Sequence, residues 1–326
     1  MTRRAISELA ARLLALAMVI GLPLAAFATR WVGANQHPIE LHARIAEVGG
    51  WMPGDLKASV GEPLHLRLTS DDVMHGFAIG QSDQPALDVP PGQMVETTLT
   101  FDKPGTYVFY CTRWCGPNHW RMRGTIEVTG ETVAPLTQMS PLYVALGLDL
   151  NSPHPASVVP TGQPSAAHGA DLGGTLTGVY QDHKYYRAHS PAQTWQALRA
   201  EPMNPALSDA DVWDVVAFMW QSHRTREALV EGQRLYAQNC AACHGESGAG
   251  NGVFAQNNWE ANHNLHPPAN FTDAIQMLGA SPALLQGKII RGGMGTGMPY
   301  WGPIFTEAQT WALVDYLWTF QFEEQP

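Results

Sequence analysis

The sequence predicts a multidomain chain: an N-terminal transmembrane helix, an all-β sandwich, and an all-α domain preceded by a shorter helical segment that partly copies it. Three observations predict this. An unbroken apolar run fills 13–28 behind Arg3 and Arg4, short alternating runs fill 40–130, and helical periodicity takes over from about residue 175. With 45% hydrophobic residues over 326 positions, the chain has material for two or three cores, which excludes a disordered protein.

The first element, residues 1–32, is expected to be a membrane anchor. Its 16 apolar residues fall short of the roughly 20 that span a bilayer, and Ala26-Phe27-Ala28 fits a signal-peptidase site, so a cleaved signal peptide is the alternative. A retained helix is favoured. Residues 5–11 continue the helix-forming pattern, Glu8 and Arg12 are spaced to pair on one face, and Arg12 can snorkel. Arg3 and Arg4 then stay inside, and the globular part faces the periplasmic or extracellular side of the cell membrane.

Residues 40–130 read as a sandwich. Alternating runs at 64–68, 95–101 and 107–110 are separated by turn signals at Gly61, Pro63, Pro90, Gly92, Pro104 and Gly105. The stretch 131–174 is expected to be a linker, because 151–174 is rich in Pro, Ser, Gly and Ala without a period. Beyond it lies a partial repeat. Ala210, Trp213, Val216 and Trp220 coincide with Ala308, Trp311, Val314 and Trp318. Farther upstream, Ser190-Pro191-Ala192 with Arg199 and Met203 matches Ser281-Pro282-Ala283 with Arg291 and Met294. The expected units are therefore 175–222, a shortened copy, and 223–326, the full domain.

Chemistry concentrates in two motifs, which hold all four cysteines. In the first, Cys111, Cys115, His119 and Met122 put four soft or borderline ligands into one loop, and soft sulfur selects copper over hard cations. One thiolate would serve a single copper. Two imply a pair of coppers bridged by two sulfurs, provided that a second imidazole arrives, and His75 is the candidate. A Cys111–Cys115 disulfide is the alternative in an exported protein, but it needs neither His119 nor Met122. In the second motif, Cys240-Ala241-Ala242-Cys243-His244 is the attachment signature of c-type haem, with His244 on the iron. A thioredoxin-like redox pair is the alternative and should lie beside a βαβ pattern, which is absent here. The sixth iron ligand is expected to be a methionine, Met294 or Met298. His183 and His189 could hold a noncovalent cofactor in the shortened copy, although a structural spacer explains that segment more simply.

The formal net charge of −10 is uneven. Residues 1–130 hold 11 Lys plus Arg against 12 acids, and 131–326 hold 8 against 17. No basic stripe exists to neutralise phosphates, so no nucleic-acid partner is expected. The acidic half suits a basic protein donor, or simply keeps the domain soluble.

His75, Cys111, Cys115, His119 and Met122 resemble the CuA motif of subunit II of haem-copper oxidases, which nitrous oxide reductase shares. The resemblance implies a cupredoxin fold for the β-domain and adds the carbonyl oxygen of Arg113 to the ligands. Arg113 stands where that family usually has an acid, a change expected to alter local charge more than binding. A single transmembrane helix resembles the B-type oxidases, in which a glutamate near the cytoplasmic end is associated with proton uptake. Glu8 sits comparably, and a charged helix flank is its plainer reading. Residues 226–321 resemble small bacterial cytochromes c, whose Met-Pro before an aromatic residue selects Met298 as the axial ligand over Met294. The 175–222 segment then resembles a haemless cytochrome c fragment, in which Met203 has no haem to serve.

Together the resemblances imply subunit II of a B-type cytochrome c oxidase fused to a cytochrome c. Electrons would pass from one covalently bound haem c to binuclear CuA and on to a catalytic haem-copper membrane subunit I. A soluble basic cytochrome or cupredoxin would be the donor. Neither site has an open position, so no catalytic residue is expected in this chain. Three alternatives stay open: the electron-input subunit of a CuA-type nitric oxide reductase, an exported donor related to nitrous oxide reductase, and a copper-delivery module.

Overall fold

The structure is a computed structural model that describes residues 38–82, 84–116, 118–131, 140–172, 178–201, 206–255, 267–293 and 297–322. The expected anchor at 1–32 lies outside the described residues, as do Met203 and Met294. Among the described residues no helix is long and apolar enough to cross a membrane.

The β-domain is the expected sandwich. Strands β1 (Ile39–Ala43), β2 (Trp51–Met52), β4 (Leu64–Ser70) and β7 (Val95–Leu99) form one sheet in the order β2-β1-β4-β7. The other, in the order β3-β9-β8-β5-β6, contains β3 (Asp55–Ser59), β5 (His75–Ile79), β6 (Leu87–Val89), β8 (Gly105–Tyr110) and β9 (Arg123–Thr129). β1 runs parallel to β4 and β3 parallel to β9, and the remaining pairs are antiparallel. Strict alternation in β4 sends Leu64, Leu66 and Leu68 inward and His65, Arg67 and Thr69 outward. They meet Phe77, Phe109 and Ile126 of the facing sheet. Trp51 packs edge-on against Phe77 and Phe109, with ring centroids 5.6 and 5.9 Å away, and floors the end of the sandwich beneath His75.

Helices make up the remainder. They are α1 (Leu142–Ala145), α2 (Ala166–Asp171), α3 (His183–Ala188), α4 (Pro191–Ala200) and α5 (Asp209–Ser222), then α6 (Arg226–Asn239), α7 (Ala241–His244), α8 (Ala274–Met277), α9 (Pro282–Arg291) and α10 (Glu307–Leu317). The repeat recurs in how these begin. Ser190 and Ser281 cap α4 and α9, each with Pro at the first helical position. Ser208 and Thr306 close capping boxes on α5 and α10.

Among the described residues of the stretch expected as a linker, several pack onto the helices. Tyr143, Leu148, Leu150 and Val158 bury apolar surface in the helical core, and the Ala156 N–H donates to the Ile275 carbonyl at 2.7 Å. Its low periodicity concealed that apolar content. Helix α2, also inside that stretch, extends the repeat. Gly169 of α2 leaves no room for a Cβ against the Asp214 carbonyl of α5, and Gly232 of α6 leaves none against the Ala312 carbonyl of α10. Since Asp214 and Ala312 are equivalent in the repeat, the two helix crossings are the same contact made twice. The haemless copy therefore starts upstream of 175. His168 Nδ1 lies 2.7 Å from Asp214 Oδ2, and the Ser165 N–H donates to Oδ1 at 2.6 Å, which fastens α2 in place. The equivalent tryptophans Trp220 and Trp318 meet edge-on at 5.9 Å, so both copies share one core.

The helical core also covers part of the β-domain. Val108 and Tyr110 of β8, with Trp120 of the following loop, pack against it.

Candidate metal centres

The loop from Cys111 to Met122 joins β8 to β9, neighbours in the sheet, so its ends are held together before any ligand arrives. Cys111 N–H donates to the Met122 carbonyl at 3.0 Å, and Thr112 N–H to the Gly76 carbonyl at 3.2 Å, which brings the loop against the start of β5, where His75 sits. A 3₁₀ turn, His119–Arg121, returns the chain inward. Asn118 enters that turn in a left-handed conformation, which asparagine tolerates, and its side-chain amide donates to Glu47 Oε1 at 2.8 Å.

This geometry gathers the predicted soft ligands. His75 Nδ1 lies 3.8 Å from Cys111 Sγ, Cys111 Sγ lies 3.8 Å from Cys115 Sγ, and Cys115 Sγ lies 3.9 Å from Met122 Sδ. The Arg113 carbonyl oxygen is 3.2 Å from Cys111 Sγ. No disulfide is present, as both cysteines are free and their sulfurs stand well beyond the ~2.05 Å bond length. His75, Cys111, His119 and Met122 are all buried.

Two features fit a soft metal here. His119 is 3% exposed, yet its Nδ1 has no hydrogen-bond partner, a state that buried polar atoms rarely keep and a metal bond would satisfy. The Cys111 thiol is also made more acidic. A hydrogen bond from Cys115 outweighs burial and, with help from His119 and His75, brings its pKa down to about 3, while Cys115 is pushed up because it holds the proton of the pair. Burial opposes charge on His75, but its contacts with Cys111 and Asp72 prevail and raise its pKa. Metal binding would displace the shared protons.

Asp72 is the residue that sequence reasoning missed. Its Oδ1 accepts from His75 Nε2 at 2.7 Å, which turns Nδ1 toward the sulfurs, and its carboxylate is fixed by the N–H groups of Ile45 and Val73. A carboxylate behind a ligating histidine sets the tautomer and raises basicity. The only sequence signal was an acid three residues before His75. Asp72→Ala is expected to weaken copper binding on the order of 10–100-fold, read by titration against a competing chelator. The Arg113 side chain points away from the sulfurs and forms a bidentate pair with Asp88 of β6 at 2.8 and 2.7 Å.

The second motif is built differently. α6 runs directly into Cys240, and the single turn α7 carries Cys243 and His244. Burial raises the pKa of Cys240 to about 12 and of Cys243 to about 11, the direction opposite to that of Cys111. Burial also lowers His244, keeping the imidazole neutral. Its Nδ1 donates to the Ala269 carbonyl at 3.0 Å, and its ring stacks on Phe271 at 4.5 Å, leaving Nε2 as the lone-pair nitrogen. Two neutral thiols beside an oriented imidazole form the donor set that c-type haem requires. Cys240 and Met298 pack against the same core.

The histidines of the haemless copy do not form one site. His183 Nδ1 faces His223 Nδ1 at 3.1 Å, whereas His189 stacks on Tyr185 and bonds the Tyr185 carbonyl.

A β-sandwich with a buried soft-ligand cluster, joined to a helical domain with a haem-attachment motif, defines an electron-transfer protein. Residues 55–129 match the periplasmic domain of cytochrome c oxidase subunit II, and residues 227–317 match subunit III of cbb3-type cytochrome c oxidase. Two relatives, both cytochrome c oxidase subunit 2, come from Thermus thermophilus, the second from a particular strain of that species. Each is 32% identical over 96 residues, 29% of this chain, which spans 68% of the first relative and 55% of the second. The periplasmic domain of subunit II of the Bradyrhizobium japonicum oxidase is a solved structure with 27% identity. That likeness covers 24% of this chain and 55% of the other, with a TM-score of 0.22. The chain belongs to the cytochrome c oxidase subunit II family, and it carries a cytochrome c domain at its C-terminal end.

Proposed function

We propose that this chain is the electron-transfer subunit of a respiratory haem-copper terminal oxidase and relays electrons from its C-terminal domain to its β-domain and on to a catalytic membrane subunit I. Cys111, Cys115, His75, His119, Met122 and the Arg113 carbonyl would hold a binuclear copper centre. Cys240 and Cys243 would attach haem c, with His244 and Met298 as its iron ligands. When bound, these groups supply one-electron carriers with saturated ligation. The chain orients the imidazoles, His75 through Asp72 and His244 through the Ala269 carbonyl. Residues 1–32 anchor it in the cell membrane, and a soluble basic protein feeds it.

The observation that carries this reading is the chain of contacts from His75 through Cys111 and Cys115 to Met122, each below 4 Å, with the unsatisfied His119 beside it. The test is paramagnetic resonance on the purified chain. One unpaired electron shared by two copper nuclei is expected, and a single-copper spectrum would refute the binuclear site. For the complex isolated with its native partners, dioxygen reduction is expected. Nitric oxide reduction in its place would move the chain to a nitric oxide reductase.

A further inference from the structure

The two methionine-bearing segments are tied together across the domain boundary. Arg123 follows Met122 directly, and Tyr300 lies two residues beyond Met298. Arg123 Nη1 donates to the Tyr300 carbonyl at 2.9 Å, and the guanidinium lies 5.3 and 5.1 Å from the ring centroids of Tyr300 and Trp301. A second contact runs alongside. Trp120, adjacent to His119, meets Phe254 edge-on at 4.4 Å. Phe254 stands two residues past Gly252, where a Cβ would find no room against the carbonyls of Ala241 and Ala242 within the haem-attachment motif. Farther along the boundary, the Gln81 N–H donates to the Ile304 carbonyl at 2.8 Å, and Gly80 has no room for a Cβ against the Pro303 carbonyl.

These contacts describe a fixed joint. Charge-steered docking between mobile redox partners relies on exposed opposite charges and weakens with salt. Here a single half-buried cation meets a backbone carbonyl and two aromatic faces, contacts that salt screens little. Arginine suits the position because its planar fork can stack and donate at once, which a lysine ammonium cannot do.

We propose that Arg123 is a positioning residue that clamps segment 298–301 of the cytochrome c domain onto the copper loop, so that the two redox sites keep one separation and electrons cross within the chain without a docking step. This rests on the function proposed above. The transfer moves one electron and no atoms: the haem site is oxidised by one equivalent as the copper site is reduced by one.

The full chain tests it in two states. In the metal-free protein, hydrogen exchange at the Trp301 amide, which donates to the Ile289 carbonyl, is expected to be faster in Arg123→Lys than in the unmodified chain, and unchanged exchange would overturn the clamp. In the loaded protein, electron equilibration after flash reduction should be independent of ionic strength in the unmodified chain. Arg123→Lys should slow it by about tenfold or more, with the copper spectrum and both potentials unchanged, because the charge is kept. Gly80→Val, a wedge against the Pro303 carbonyl, should slow it likewise. Equal rates in all three proteins would overturn the clamp and leave the proposed function standing. Failure of the unmodified chain to equilibrate at all would overturn both.

Discussion

Cys115→Ser is expected to abolish the two-copper spectrum while the haem-attached domain stays intact. Cys115 is the middle of the ligand chain, with its sulfur 3.8 Å from Cys111 Sγ and 3.9 Å from Met122 Sδ. A serine hydroxyl is harder and less acidic than a thiol, and it offers no soft bridge between two coppers. Cys111 and His75 then suffice at most for one copper. Cys240 packs against the helical core and Cys115 against the β-sandwich core, so the substitution removes no group from the haem motif. Paramagnetic resonance and the optical spectrum of one preparation read both outcomes, and a mixed-valence signal that survives in Cys115→Ser would remove the copper assignment.

Met298→Ala is expected to change the haem spectrum and lower its potential, within the roughly 0.8 V range that axial ligation commands. A thioether favours reduced iron and closes the sixth position. Without it the iron is open to water or to an added ligand, so carbon monoxide binding is a second readout. Met294→Ala should leave spectrum and potential near those of the unmodified chain. The reverse pattern would transfer the axial role to Met294.

Much of the fold was legible because it is written locally. Alternation in 64–68 and 107–110, punctuated by Gly and Pro, specified strands that the sandwich contains, and Ser-Pro-Ala at 190 and 281, paired by the repeat, begins a capped helix at both places. Packing of the 131–174 stretch was not legible. Its prolines and glycines break periodicity, so the apolar residues at 142, 143, 148 and 150 form no pattern until the helical core gives them a surface to cover. The same holds for Gly169, whose value lies in a contact with a carbonyl 45 residues later in the chain.

The candidate copper centre divides in the same way. Cys111, Cys115, His119 and Met122 are close in sequence, and their spacing alone proposes a ligand loop. His75 was nominated because a second imidazole was needed. That nomination depended on chemistry, whereas its 3.8 Å approach to Cys111 depends on β5 lying beside β8. Asp72 carried no such chemical demand. A carboxylate behind a histidine has meaning only once Nε2 faces it.

The sequence by itself determined which atoms are offered: two pairs of thiols, the imidazoles, the thioethers, and the alternation that packs a sandwich around one set and helices around the other. Tertiary structure alone decided how those atoms are used. The hydrogen bond with Cys115 lowers the pKa of Cys111, whereas burial raises those of Cys240 and Cys243, although all are the same residue type. Tertiary structure also brought Arg123 to the Tyr300 carbonyl across 177 positions. The physical reason is that pKa, tautomer and domain contact are set by neighbours in space, and neighbours so distant along the chain leave no periodic trace in it.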